Sequence, residues 1–157
     1  MKIELWVVGK TNFDYLQKGI TIYEKRIKRY LPFELLVLPD VKVGKKTNAT
    51  QIKQKEGELI LTKLQAGDAL FLLDENGKQF SSVQFAQHLE RQLQMSYKRL
   101  IFQIGGAYGF SEAVYARSNA KLSLSKMTFS HQMIRLLFVE QFYRAMTILN
   151  HEPYHHQ

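Results

Sequence analysis

Cysteine is absent from this chain. Its absence removes disulfides, thiolate nucleophiles and cysteine zinc sites together, and leaves any chemistry to oxygen, nitrogen or a cofactor. Acidic side chains are scarce, with 14 Asp and Glu against 22 Lys and Arg, a formal charge of +8. Such an excess favours a polyanionic partner, nucleic acid first, because phosphate neutralisation supplies affinity without regard to sequence. No apolar run approaches the roughly 20 residues that span a bilayer. The first apolar stretch holds Glu4 and Trp6, unlike a secretory signal, so the expectation is a cytoplasmic protein with no membrane partner.

Several signatures are missing as well. The dinucleotide fingerprint would need glycine at position 104, which is Ile104, and a phosphate loop would need Gly-Lys-Ser/Thr where Gly109 is followed by Phe110 and Ser111. No G-x-S-x-G elbow is present, which argues against Ser/His/Asp hydrolysis. His151, His155 and His156 cluster at the C-terminus, but only Glu152 accompanies them, so no metal site is expected.

What remains is the pattern of one domain over residues 1–157, with 45% hydrophobic and 23% charged residues, ordinary globular values. Apolar runs at Lys2 to Val8, Phe33 to Leu38, Asp68 to Leu73 and Leu100 to Ile104 read as strands. A further short strand is expected at Lys121 to Leu124, and Asp74 to Gly77 has the composition of a turn. Helical spacing occupies the intervals: one helix after Thr11 or Asn12 as cap, one over Ala49 to Leu64, one capped by Ser81 or Ser82, a short one over Ser111 to Arg117, and a last from about His131 to Leu149. Strand and helix alternate, so the expected fold is α/β, a mostly parallel open sheet with helices on both faces.

The last helix has 12 apolar residues among the 17 from Met133 to Leu149. A helix apolar on nearly every side must be covered on two sides, and a second copy of the chain is the simplest cover, so a homodimer through this helix is expected. Glu140 and Arg144 stand at i and i+4, the spacing of an ion pair.

In open α/β sheets ligands bind beyond the carboxyl ends of the strands. Three such ends are in reach of one another: Leu73-Asp74, the run Ile104-Gly105-Gly106-Ala107-Tyr108-Gly109, and Leu124 to Phe129. They outline a pocket of backbone and apolar groups, better suited to a neutral heterocycle than to a phosphate. Gly106 to Gly109 also matches a GxxG loop, which leaves open a second reading, a non-enzymatic RNA- or ribosome-binding module.

Those three segments, with Ser130-His131, Arg135, Val139 to Ala145 and Pro153-Tyr154-His155, resemble the ribosomal RNA large subunit methyltransferase H family, of the SPOUT class. Ser130 stands where that family's pattern has proline. The resemblance covers the full length and implies a C-terminal trefoil knot within about residues 70–157, a feature that general chain topology would argue against. It further implies a homodimer that binds S-adenosyl-L-methionine and methylates N3 of a pseudouridine in 23S rRNA of the assembled ribosome. By position, the cofactor residues would be Leu73, Gly105, Gly106, Leu124, Ser125, Lys126, Met127, Thr128 and Phe129. His131, Tyr154 and His155 are the candidate bases for the N3 proton, and Arg135 and Arg144 the candidate holders of phosphate or of the developing anion.

Overall fold

In a computed structural model that describes residues 1–156, the chain folds in the order β1 (Lys2–Val8), α1 (Asp14–Ile27), β2 (Phe33–Leu38), α2 (Ala49–Lys63), β3 (Asp68–Gln79), α3 (Ser82–Leu93), β4 (Arg99–Ile104), α4 (Glu112–Arg117), β5 (Ala120–Ser123) and α5 (Met133–Leu149). The strands form one sheet, β2-β1-β4-β3-β5, and every pairing is parallel. The α/β expectation holds.

Alternation along each strand divides the core in two. Ile3, Leu5 and Val7 of β1 join Phe71, Phe102, Phe138 and Phe142 under α1, α3 and α5, while Trp6 joins Leu38, Leu72, Ile101, Phe110 and Val114 under α2 and α4. Helices thus cover both faces, and the central strands β1 and β4 are largely apolar because neither face meets water, with Glu4 and Gln103 as buried polar exceptions.

Buried charge gathers at the amino-terminal edge of the sheet. Glu4 accepts from the Trp6 indole at 2.7 Å and pairs with Arg99 at 3.3 Å, and Arg99 reaches Asp68 at 2.6 Å. This network ties β1, β4 and β3 together at the end opposite their carboxyl termini, which leaves that other end free for a ligand site.

Two local expectations are corrected. Asp74 to Gly77 does not end β3; the strand runs on to Gln79, and β5 pairs with it on both sides of a bulge, with Leu122 opposite Leu73 and again opposite Lys78. The Asp74 side chain accepts from the Asn76 amide at 2.8 Å, so the local turn chemistry survives inside the bulge. Likewise, neither Thr11 nor Asn12 caps α1, whose N-cap position is Phe13 without a side-chain bond. Thr11 instead accepts from Arg135, and the Asn12 amide donates to Gln132. Of Ser81 and Ser82 it is Ser81 that caps α3, in a reciprocal box with Gln84, while Ser111, expected inside the short helix, caps it instead.

Candidate active site

Beyond the carboxyl ends of β3, β4 and β5 lies a cleft of about 620 Å³. Gly105 and Gly106 form one wall, Leu73 with the bulge another, and the segment from Leu122 to His131 the third. Gly105, Gly106 and Gly109 bring no side chain to the lining, and Ile104, Leu122, Leu124, Phe129 and Ile134 give it apolar patches. Gly109 takes a left-handed φ of +81° and closes the loop through an antiparallel bridge to Gly106.

Of the residues singled out in the sequence, Leu73, Gly105, Gly106, Leu124, Ser125, Met127, Thr128, Phe129 and His131 meet at this cleft. Met127, 78% exposed, stands at its open side. Lys126 is exposed and outside the lining.

The remaining candidates are elsewhere in the chain. Arg135 is completely buried and donates to the carbonyls of Val8, Gly9 and His131. Arg144, Tyr154 and His155 form a separate cluster around Glu140: Arg144 pairs with Glu140 at 2.6 Å and contacts His155 at 3.1 Å, and Tyr154 donates to Glu140 at 3.0 Å. Ten residues of helix separate Ile134 at the cleft from Arg144, about 15 Å at helical rise. His151 adopts a left-handed conformation just past α5, and among the described residues no group of three His, Cys, Asp or Glu is placed to hold a metal ion.

Electrostatics around the cleft are modest. Burial, with Arg135 nearby, holds the His131 imidazole below its usual range despite Asp40, so it is neutral near pH 7. Tyr115 donates to Asp74 at the rim, and burial together with that bond pushes its phenol up to about 12.

The sequence reading missed Lys53 and Tyr115 in the lining, and Glu56 behind the glycine wall. For Glu56 a signal existed: it stands midway between Ile52 and Ile60 at helical spacing, a carboxylate in an apolar register.

Comparison with known proteins decides the family. Residues 1–155 match the family model described as "Predicted SPOUT methyltransferase". The chain belongs to the SPOUT methyltransferase family. It is similar over all 157 residues, covering 100% of both chains, to proteins named ribosomal RNA large subunit methyltransferase H from Parabacteroides distasonis, at 59% identity, and from Christiangramia forsetii and Bacteroides thetaiotaomicron, each at 54%. Among solved structures it is similar to a probable methylase family protein from Haemophilus influenzae, with a TM-score of 0.51 and 11% identity over 95% of this chain and 66% of that one, a likeness of fold.

SPOUT membership gives the cleft a meaning. A methyltransferase of this class has a knotted α/β fold and needs a methyl donor, and the cleft can be tested against one. Adenosine presents a flat, mostly neutral heterocycle that asks for apolar faces and backbone partners. The wall at Gly105 and Gly106 carries no side chain, and a Cβ at Gly105 would already press the Phe110 ring at 3.2 Å. Leu73, Leu122 and Leu124 supply the apolar faces. The residues present fit.

Proposed function

We propose that this SPOUT methyltransferase is a ribosomal RNA large subunit methyltransferase that transfers a methyl group from S-adenosyl-L-methionine to N3 of a pseudouridine in 23S rRNA of the assembled cytoplasmic ribosome. The observation that carries the reading is the cleft at the strand ends, with its glycine wall and apolar patches, in a chain 59% identical end to end to a protein of that name. The chain acts as one domain over 1–157, with its cofactor-binding knot within about 70–157.

When bound, the donor supplies an activated methyl on a sulfonium. Gly105, Gly106, Leu73 and the Leu124 to Phe129 segment would hold its adenosine part, and Lys126 would face the RNA from the exposed tip of that segment. The chain's remaining tasks are to align the accepting nitrogen, exclude water and take the N3 proton. His131 is suited to the last, being at the cleft and neutral at working pH.

Arg144 near the far end of α5, with Tyr154 and His155 packed beside it from beyond the helix, stands apart from the cleft of its own chain, and a partner's copies would serve it in a homodimer. The partly exposed apolar residues Met133, Leu136 and Leu137 of α5 support such an interface.

Incubation with radiolabelled S-adenosyl-L-methionine and ribosomes lacking the modification should place label in 23S rRNA. Absence of label, with heat of RNA binding but none of cofactor binding, would favour the binding-module reading instead.

A further inference from the structure

Glu56 approaches the cleft from behind. It lies on α2, only 8% exposed, with Ile60 buried one turn further along the same face. Among the described residues no Lys or Arg pairs with it. Both of its oxygens are turned to the glycine wall: a Cβ added at Gly106 would stand 2.6 and 2.7 Å from Oε1 and Oε2. A side chain at Gly106 would push the carboxylate back, and with glycine there the Gly106 amide faces it.

Burial pushes the Glu56 carboxyl above its ordinary range; the Gly106 amide opposes that rise and the neighbouring Asp40 adds to it. An unpaired buried carboxylate costs stability, and an apolar side chain of similar size would cost less. The loop it touches has the opposite need. Gly105 and Gly106 have no side chains with which to fix their own position, yet they form a wall of the cleft.

We propose that Glu56 is a positioning residue, which accepts the Gly106 amide and thereby holds the Gly105-Gly106 backbone in the shape that receives the methyl donor. The donor half of this statement rests on the reading of the cleft given above; the loop half does not. Glu56 touches no reacting atom, and acts through the loop.

The test uses the full chain as wild type, Glu56→Gln and Glu56→Leu. Amide hydrogen exchange at Gly106 is followed by NMR without ligand, and calorimetry follows binding of S-adenosyl-L-methionine. Gln retains an acceptor, so Glu56→Gln should keep Gly106 protected and bind within about threefold of wild type. Glu56→Leu should exchange at Gly106 and bind the donor each worse by about tenfold, while melting no lower than wild type. That combination, weaker binding without lost stability, is not what a merely structural residue gives. Unchanged Gly106 protection in folded Glu56→Leu would overturn the proposal.

Should Glu56→Leu fail to fold, the Gly106 amide shift of the wild type decides. It should titrate with a midpoint above the ordinary glutamate value and lose that titration in Glu56→Gln; a flat wild-type profile would overturn the proposal. If wild type gives no heat with the donor, the reading of the cleft fails, and the exchange arm still decides whether Glu56 holds the loop.

Discussion

Arg135 donates to the carbonyl of Val8 at 2.7 Å, across 127 positions of sequence, and its second terminal nitrogen reaches Gly9 at 2.8 Å. Both acceptors lie where β1 leaves the sheet, and Thr11 takes a further bond at 3.1 Å. A completely buried cation is thereby held by carbonyl and hydroxyl oxygens with no carboxylate among them, and α5 is tied to the carboxyl end of β1.

Arg135→Met should therefore reveal a structural debt. It leaves two buried carbonyls without partners, a loss of about 3 kcal/mol, and the melting temperature should fall by about 6 to 12 °C. Thermal unfolding followed by circular dichroism measures it. A drop under about 2 °C would mean that the carbonyls find other donors.

Arg135 also shows where reading the sequence ends. Its position in a motif marked it as a residue of consequence, but motif position does not distinguish a group that meets substrate from one that locks the scaffold beside it; that depends on partners more than a hundred residues away. Strands β1, β2 and β4 were legible because their apolar runs are local, and so was the meeting of Leu73, the glycine loop and Leu124 to Phe129, because parallel strands share one carboxyl edge. Asp74 to Gly77 was misread for the opposite reason. Its composition is that of a turn, and only the pairing of β5 on both sides makes it a bulge. Glu56 was passed over because a carboxylate on a helix is ordinarily solvated.

The bulge carries its own prediction. Gly77 lies against the backbone of β5, where an added Cβ would stand 2.6 Å from the Leu122 carbonyl carbon and 2.7 Å from its nitrogen. Backbone atoms in a paired strand have little room to give. Gly77→Ala should therefore cost about 2 kcal/mol or more, and should weaken donor binding as well, since Leu122 lines the cleft. Denaturant unfolding and calorimetry on the same variant measure the two effects; loss of neither would remove the bulge from the site.

Asp68 makes a prediction of the other kind, affecting stability alone. Burial would raise its carboxyl, but Arg99 and the Gln65 amide outweigh burial and bring it below the usual range. A carboxyl lowered by folding contributes stability that is present above its unfolded value and is lost as pH falls through the folded one. The wild type should lose stability below about pH 4. Asp68→Asn should flatten that decline and cost about 2 kcal/mol at neutral pH. Because Asp68 stands at the far edge of the sheet, methyl transfer at a temperature well below the transition should be unaffected. A variant that kept the acid decline would transfer it to other carboxylates.

The sharpest prediction concerns His131. At the cleft, and held below the usual imidazole range by burial first and by Arg135 second, it carries no proton at neutral pH and can accept one. If it takes the N3 proton, the rate should fall as pH drops through its lowered value, and His131→Gln should remove that limb of the profile while reducing turnover by about 100-fold. Donor affinity by calorimetry should change little if, as proposed, the adenosine part is held by backbone and apolar groups. The same imidazole contributes to stability with the opposite sign from a paired histidine: its lowered value means that the folded state resists protonation, so stability from this group is lost as pH falls through the unfolded value. The two effects separate cleanly, because a stability loss removes folded protein at every substrate concentration, whereas loss of the base lowers turnover in protein that remains folded. A His131→Gln variant that kept both its turnover and its acid limb would move the role of base to Tyr154 or His155 of a second copy.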